Sequence, residues 1–341
     1  MSVTTTPTNH VRPVPDDFSA RIEAALTTRA QIETLVEAAV TSGVRNIFLV
    51  GCGGSLFGFG PLRVLLDRSP VPVHVINADE LLTRRPVALG AGSFVVISST
   101  NGGTGETARA AAFAGEQGAT VVGVTQDPTS IVGRACPQLV LHEGIEAKQV
   151  VLALIGWSLL RALGAAPDHA EAMTALQAAP TAFRSAIDEV DEHLHGIAQA
   201  LHAEPVVYVV GSGPLESAAN TLAMCYLQEM QWKHAVPVGA GEFLHGPFEV
   251  VTEDLPVIVL TGEDSTRPMG ERVSRFLERY STKVHYVDGA RLTLPGVPTS
   301  MRPFLGTLIV ASTLIGRLAE HFEAWSGHSL KERRYMWKVD Y

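Results

Sequence analysis

Two short apolar runs that end in glycine turns constrain this chain more than any other feature. Residues 46–50 (NIFLV) run into Gly51-Cys52-Gly53-Gly54-Ser55, and residues 205–210 (PVVYVV) run into Gly211-Ser212-Gly213-Pro214. A strand that is apolar at nearly every position needs cover on both faces, which is the situation of a parallel sheet between helices. Runs at 72–76, 94–98, 119–125 and 138–141 follow the first turn, and runs at 255–260 and 283–287 follow the second. The two glycine turns stand about 160 residues apart, so the pattern reads as a duplicated α/β unit rather than a short-period repeat.

Helical spacing fills the intervals. Ile22, Leu26, Ile32, Leu35, Val36 and Ala39 predict one or two opening helices over 18–41, residues 150–163 an apolar helix, and 305–322 a long closing one. The expected organisation is a loose leader at 1–17, a first domain at 18–166, a helical connector at 167–204, a second domain at 205–325 and a tail at 326–341. At 341 residues the chain has room for two domains of ordinary size.

Charge and cysteine usage narrow the setting. A net charge of −9 argues against general binding to nucleic acid or to an anionic membrane. The run 150–160 is too short to cross a bilayer, and the polar, proline-rich start does not read as a signal peptide. Cys52, Cys136 and Cys225 have no zinc-like spacing, which fits free thiols in a cytoplasmic protein.

The chemistry gathers at two places. Ser98-Ser99-Thr100-Asn101-Gly102-Gly103-Thr104-Gly105-Glu106-Thr107 lies between a strand and a helix. Hydroxyls among glycines at a helix N-terminus form a neutral cradle for phosphate that needs no lysine, although Thr104 could simply cap the helix. The turn at Gly51, Gly53 and Ser55 could face an anion in the same way. As a dinucleotide fingerprint it falls short, because Leu56 stands where the third glycine belongs and Glu216 does so in the second copy. Ser55 lacks the G-x-S-x-G elbow of an acyl-enzyme nucleophile.

The second place is residues 227–249, LQEMQWKHAVPVGAGEFLHGPFE, read as the end of a helix followed by a loop rich in proline and glycine. Glu229, alone on an apolar helix face, either pairs with a buried cation or carries a raised pKa suited to proton transfer. His245 in such a loop is a candidate for acid–base chemistry, and Glu242 and Glu249 flank it without the helical HExxH offsets of a metal site. His193 and His195, two apart on a helix, read as surface residues.

Together, the two α/β units, the turn with Ser55, the Thr104-Gly105-Glu106-Thr107 run, and Glu229 followed by His245 in HGP resemble the sugar-isomerase (SIS) family. The isomerase domain of glucosamine-6-phosphate synthase is its best-known member. GEFLHGPFE and the closing ERRYMWKVDY look most like the fructosamine-6-phosphate deglycases. The phosphate loop here is longer and richer in glycine than the Ser-x-Ser-Gly-Glu-Thr of the synthase, and Lys338 lies in a different tail from the synthase lysine. No glutaminase segment precedes these residues, which sets aside an ammonia-channelling synthase.

The resemblance implies two flavodoxin-like, three-layer αβα domains with parallel sheets. It also implies a homodimer with its active site near the interface, His245 supplied by the partner chain, and neither metal nor organic cofactor. Gly53, Ser55, Ser99, Thr100, Asn101, Thr104, Thr107 and Glu242 would bind a sugar phosphate, with Glu229, His245 and Lys338 acting in catalysis. The reaction implied is release of glucose 6-phosphate and an amine from a fructosamine 6-phosphate. An aldose–ketose isomerase or amino-sugar phosphate deaminase would use the same base. A phosphosugar-sensing regulator would need a DNA-binding domain for which the leader has no room.

Overall fold

The computed structural model describes residues 11–340, so most of the predicted leader lies outside it. The chain divides into two compact units. Of the described residues, the first contains Asp17–Ala182 and Pro295–Leu308; the second contains 11–16, Phe183–Leu294 and 309–340. The segment 295–308 thus belongs to the first unit although it follows the second sheet in sequence. The expected connector is one 33-residue helix, His169–Leu201, whose first part belongs to one unit and whose remainder belongs to the other.

In the first unit five parallel strands stand in the order β2-β1-β3-β4-β5. They are β1 (Asn46–Gly51), β2 (Val73–Asn77), β3 (Ser93–Ser98), β4 (Thr120–Thr125) and β5 (Gln138–Leu141). Every residue of β3 is buried, as are Ile47–Gly51 of β1, because helices cover both faces. The helix Gly144–Ala162 is buried without interruption from Ala147 to Leu160, with Trp157 packed edge-on to Phe304 at 5.6 Å.

In the second unit four parallel strands take the order β7-β6-β8-β9, the same winding without its last strand. They are β6 (Val206–Gly211), β7 (His234–Gly239), β8 (Val257–Thr261) and β9 (Val284–Asp288). This is the flavodoxin-like α/β class expected from the sequence. β7 corrects the expectation of a loop over that stretch: it pairs along its whole length with β6, with Pro237 opposite Val209. Proline is tolerated there because β7 is an edge strand, where an N–H facing away from the sheet is not needed.

The closing helical run, Thr299–Ser326, is long and apolar enough to cross a membrane by composition, but 72% of its most apolar window is buried, as in a core helix. Arg12 in the leader is anchored: its guanidinium meets Glu323 at 2.7 Å and its carbonyl accepts from Arg317. His195 also differs from expectation. It faces inward, 3.3 Å from the Nδ1 of His321, which in turn meets Asp191 at 2.8 Å.

Candidate active site

In the first unit β1 and β3 are neighbours in the sheet, so the turns beyond their C-terminal ends come together. Gly53 turns the chain after β1 with φ +52°, a conformation costly for any residue with a Cβ. This sets Ser55 in the short helix Gly53–Phe57, where its Oγ accepts from the Thr100 N–H at 3.3 Å and lies 3.4 Å from Thr100 Oγ1. Thr104 occupies the N-cap position of helix Gly105–Glu116 but its side chain makes no capping bond. Its Oγ1 lies instead 3.5 Å from Ser99 Oγ. Thr107 is fully buried with its hydroxyl directed at Cys52 Sγ, 3.7 Å away, and Asn101 is exposed. Six of the predicted residues (Gly53, Ser55, Ser99, Thr100, Thr104 and Thr107) therefore build one loop cluster. Ser99 and Thr107 shape it from inside.

Lys148 was not anticipated. It is 2% exposed, and its Nζ donates to Thr100 Oγ1 at 2.9 Å, placing a buried positive charge directly behind the hydroxyl cradle. Nearby His142 is also buried, and burial together with the Lys148 charge pulls its pKa down to about 4, so its ring is neutral at pH 7. The central hydroxyl of the cradle read from sequence is thus backed by an ammonium group. A lysine two residues before a long apolar run was the available signal.

In the second unit the helix carrying Glu229 is a π-helix, Thr221–Met230, in which the Gln231 N–H reaches back five residues to Tyr226 O at 3.0 Å. Such wide turns in helices are frequently found at functional sites. Glu229 is a quarter exposed and pairs with Arg333 of the tail at 2.9 Å. Burial raises its pKa and Arg333 opposes the shift, with burial the stronger influence. The two readings open from sequence, pairing and a raised pKa, hold together.

His245 ends a short turn, Phe243–His245, pinned by the buried Phe243 within the apolar cluster of Val210, Val238 and Val259. Its side chain is exposed, as is that of Glu242, whose carbonyl accepts the His245 N–H at 2.9 Å. Lys338 is exposed in the tail. Among the described residues no three His, Cys, Asp or Glu side chains gather as a metal site would require.

Taken by itself, a carboxylate of raised pKa is suited to proton transfer, and a hydroxyl cradle backed by lysine is suited to an anion. The chain belongs to the SIS (sugar isomerase) family, and the SIS domain matches residues 200–284. It is 31% identical over 306 residues to the fructosamine deglycase FrlB of Bacillus subtilis (strain 168), covering 87% of this chain and 93% of that protein. It is 26% identical over 308 residues to the fructoselysine 6-phosphate deglycase of Escherichia coli O157:H7, covering 89% of each. A Bacillus subtilis crystal structure described as a phosphosugar isomerase superposes with a TM-score of 0.87 at 29% identity, over 96% of this chain and 100% of that one.

Proposed function

We propose that this protein is a deglycase that converts a fructosamine 6-phosphate into glucose 6-phosphate and a free amine. The observation that carries the reading is Glu229: a partly buried carboxylate of raised pKa, in a chain similar over most of its length to a fructosamine deglycase and to a fructoselysine 6-phosphate deglycase.

The substrate phosphate binds the hydroxyls of Ser55, Thr100 and Thr104, with Gly53 allowing close backbone approach, Asn101 at the rim and Ser99 and Thr107 bracing the loop from inside. Lys148 acts through Thr100 and adds the positive charge. His245 moves a proton to the ring oxygen and opens the cyclic sugar, with Glu242 holding the open chain beside it. Glu229 takes a proton from C1, giving an enaminol, and returns a proton to C2, leaving the imine of glucose 6-phosphate. Water adds to that imine and the amine departs, so the net reaction is a hydrolysis that uses no metal or organic cofactor. One carboxylate serves both transfers because C1 and C2 present the same face of a flat intermediate, and a raised pKa suits it to give the proton back. Lys338 assists from the tail, and the working form is a homodimer with the site at its interface.

The test couples product to glucose-6-phosphate dehydrogenase across a panel of fructosamine 6-phosphates. NADPH should form with wild type and disappear with Glu229→Gln. Full turnover by Glu229→Gln would remove this carboxylate from the chemistry.

A further inference from the structure

Arg333 offers a guanidinium whose carboxylate-binding face is only half used. The residue is 8% exposed. Its Nη1 donates to the carbonyls of Leu330 and Glu332, both at 2.8 Å, and its Cζ lies 5.5 Å from the Trp337 ring centroid. These contacts fix the plane of the group. Its Nη2 meets Glu229 at 2.9 Å, while its Nε is buried with no hydrogen-bond partner among the described residues. Nε and Nη2 are the two parallel donors with which arginine grips a carboxylate side-on. The same unit shows that grip complete at Arg317, whose Nε and Nη2 meet the two oxygens of Asp191 at 2.6 and 2.8 Å. A buried donor without an acceptor is unfavourable, and a second carboxylate would satisfy it.

We propose that Arg333 is the specificity residue for the amine portion of the substrate, receiving through Nε and Nη2 a carboxylate borne on the carbon next to the substrate nitrogen. This rests on the deglycase reading. If Glu229 removes the C1 proton, C1 sits within hydrogen-bonding range of that carboxylate. In the fructosamine of an α-amino acid the carboxylate carbon is three bonds from C1, a span of about 4 Å. An arginine already bonded to the base is therefore within reach of it. Binding exchanges one carboxylate partner of Arg333 for another and frees Glu229 as the substrate arrives. The preferred class is thus a sugar phosphate joined to an amino acid through its α-nitrogen, over one joined to a plain amine.

The experiment compares the fructosamine 6-phosphates of glycine and of ethanolamine, which differ in a carboxylate against a hydroxymethyl group. Wild type should favour the glycine adduct in kcat/KM by on the order of ten- to a hundred-fold. In Arg333→Met that ratio should collapse towards one. Arg333→Lys, which keeps charge without the fork, should retain only part of it, and it carries the comparison if the methionine variant does not fold. A wild-type ratio near one, an unchanged ratio in the variants, or an equal loss on both adducts overturns the proposal. Calorimetric binding of both adducts to Glu229→Gln, with and without Arg333→Met, separates this inference from the reading beneath it. If wild type releases no amine from either adduct, the deglycase reading fails; an Arg333-dependent preference in binding still upholds the carboxylate site, and equal binding overturns it.

Discussion

The two units wind their sheets in the same order, yet the loops after their third strands have opposite electrostatic character. Both first turns are built alike: Gly53 and Gly213 each adopt φ +52° directly after the first strand of their sheets. Beyond β3, the stretch 98–104 holds hydroxyls and glycines and no carboxylate, the first being Glu106 in the following helix, and Lys148 stands behind it. Beyond β8, the stretch 262–266 (GEDST) is occupied by its own acids. Asp264 Oδ1 accepts from the Thr266 N–H at 2.9 Å, its Oδ2 is buried without a partner among the described residues, and Arg267 is committed to Asp288 through both Nη atoms at 2.8 and 2.9 Å. The first loop has the donors that an anion needs, and the second presents acids instead. On the proposed reading, the same winding supports an anion site in one copy, while the other supplies a carboxylate base from the helix Thr221–Met230. Topology alone does not make a phosphate site; the side chains of one short loop decide.

The largest expected effect tests the base-bearing copy. Glu229→Gln should lose about 10² to 10⁴ in kcat on a fructosamine 6-phosphate, measured by amine release. Next, Lys148→Met should raise KM for phosphorylated substrates about ten- to a hundred-fold, since a charge-assisted hydrogen bond is worth about 1.5–3 kcal/mol. An unchanged KM there would make the lysine purely structural.

A paired substitution sharpens the contrast between the loops. Thr104→Ala should raise KM several-fold, whereas Thr266→Ala should leave KM alone and cost about 1 kcal/mol of stability in urea unfolding. Equal KM effects would erase the distinction between the two loops. The smallest effect is a displacement with pH. Glu229 must be ionised to act as a base, so kcat/KM falls as pH drops through its raised pKa. Arg333 is the influence that lowers that pKa, so Arg333→Met should move the acid limb to higher pH; a limb that stays or moves down would contradict the pairing.

The parts legible in sequence were those with a local cause. Strands such as Phe94–Ile97 read plainly because they are buried on every side, and glycine turns recur after β1 and β6 because the backbone there demands them. Strand β7 was missed because Pro237 and Gly239 look like loop residues until β6 is known to lie on only one side of them. The helix at Glu229 was expected, but its π character was not: a wide turn is set by packing, and a ten-residue stretch carries too few apolar positions to tell the two periods apart. Lys148 and Arg333 acquire meaning only from partners distant in sequence, Thr100 and Glu229, and no periodicity announces such a pair.

Pro237 has one more consequence. An edge strand offers unpaired N–H and C=O groups to any extended chain that drifts past, and such edges seed aggregation. At β7 the row of donors is interrupted where the proline ring replaces an N–H, so a foreign strand cannot zip along it in unbroken register. The residue that hid this strand from the sequence is also one that keeps it from recruiting strangers.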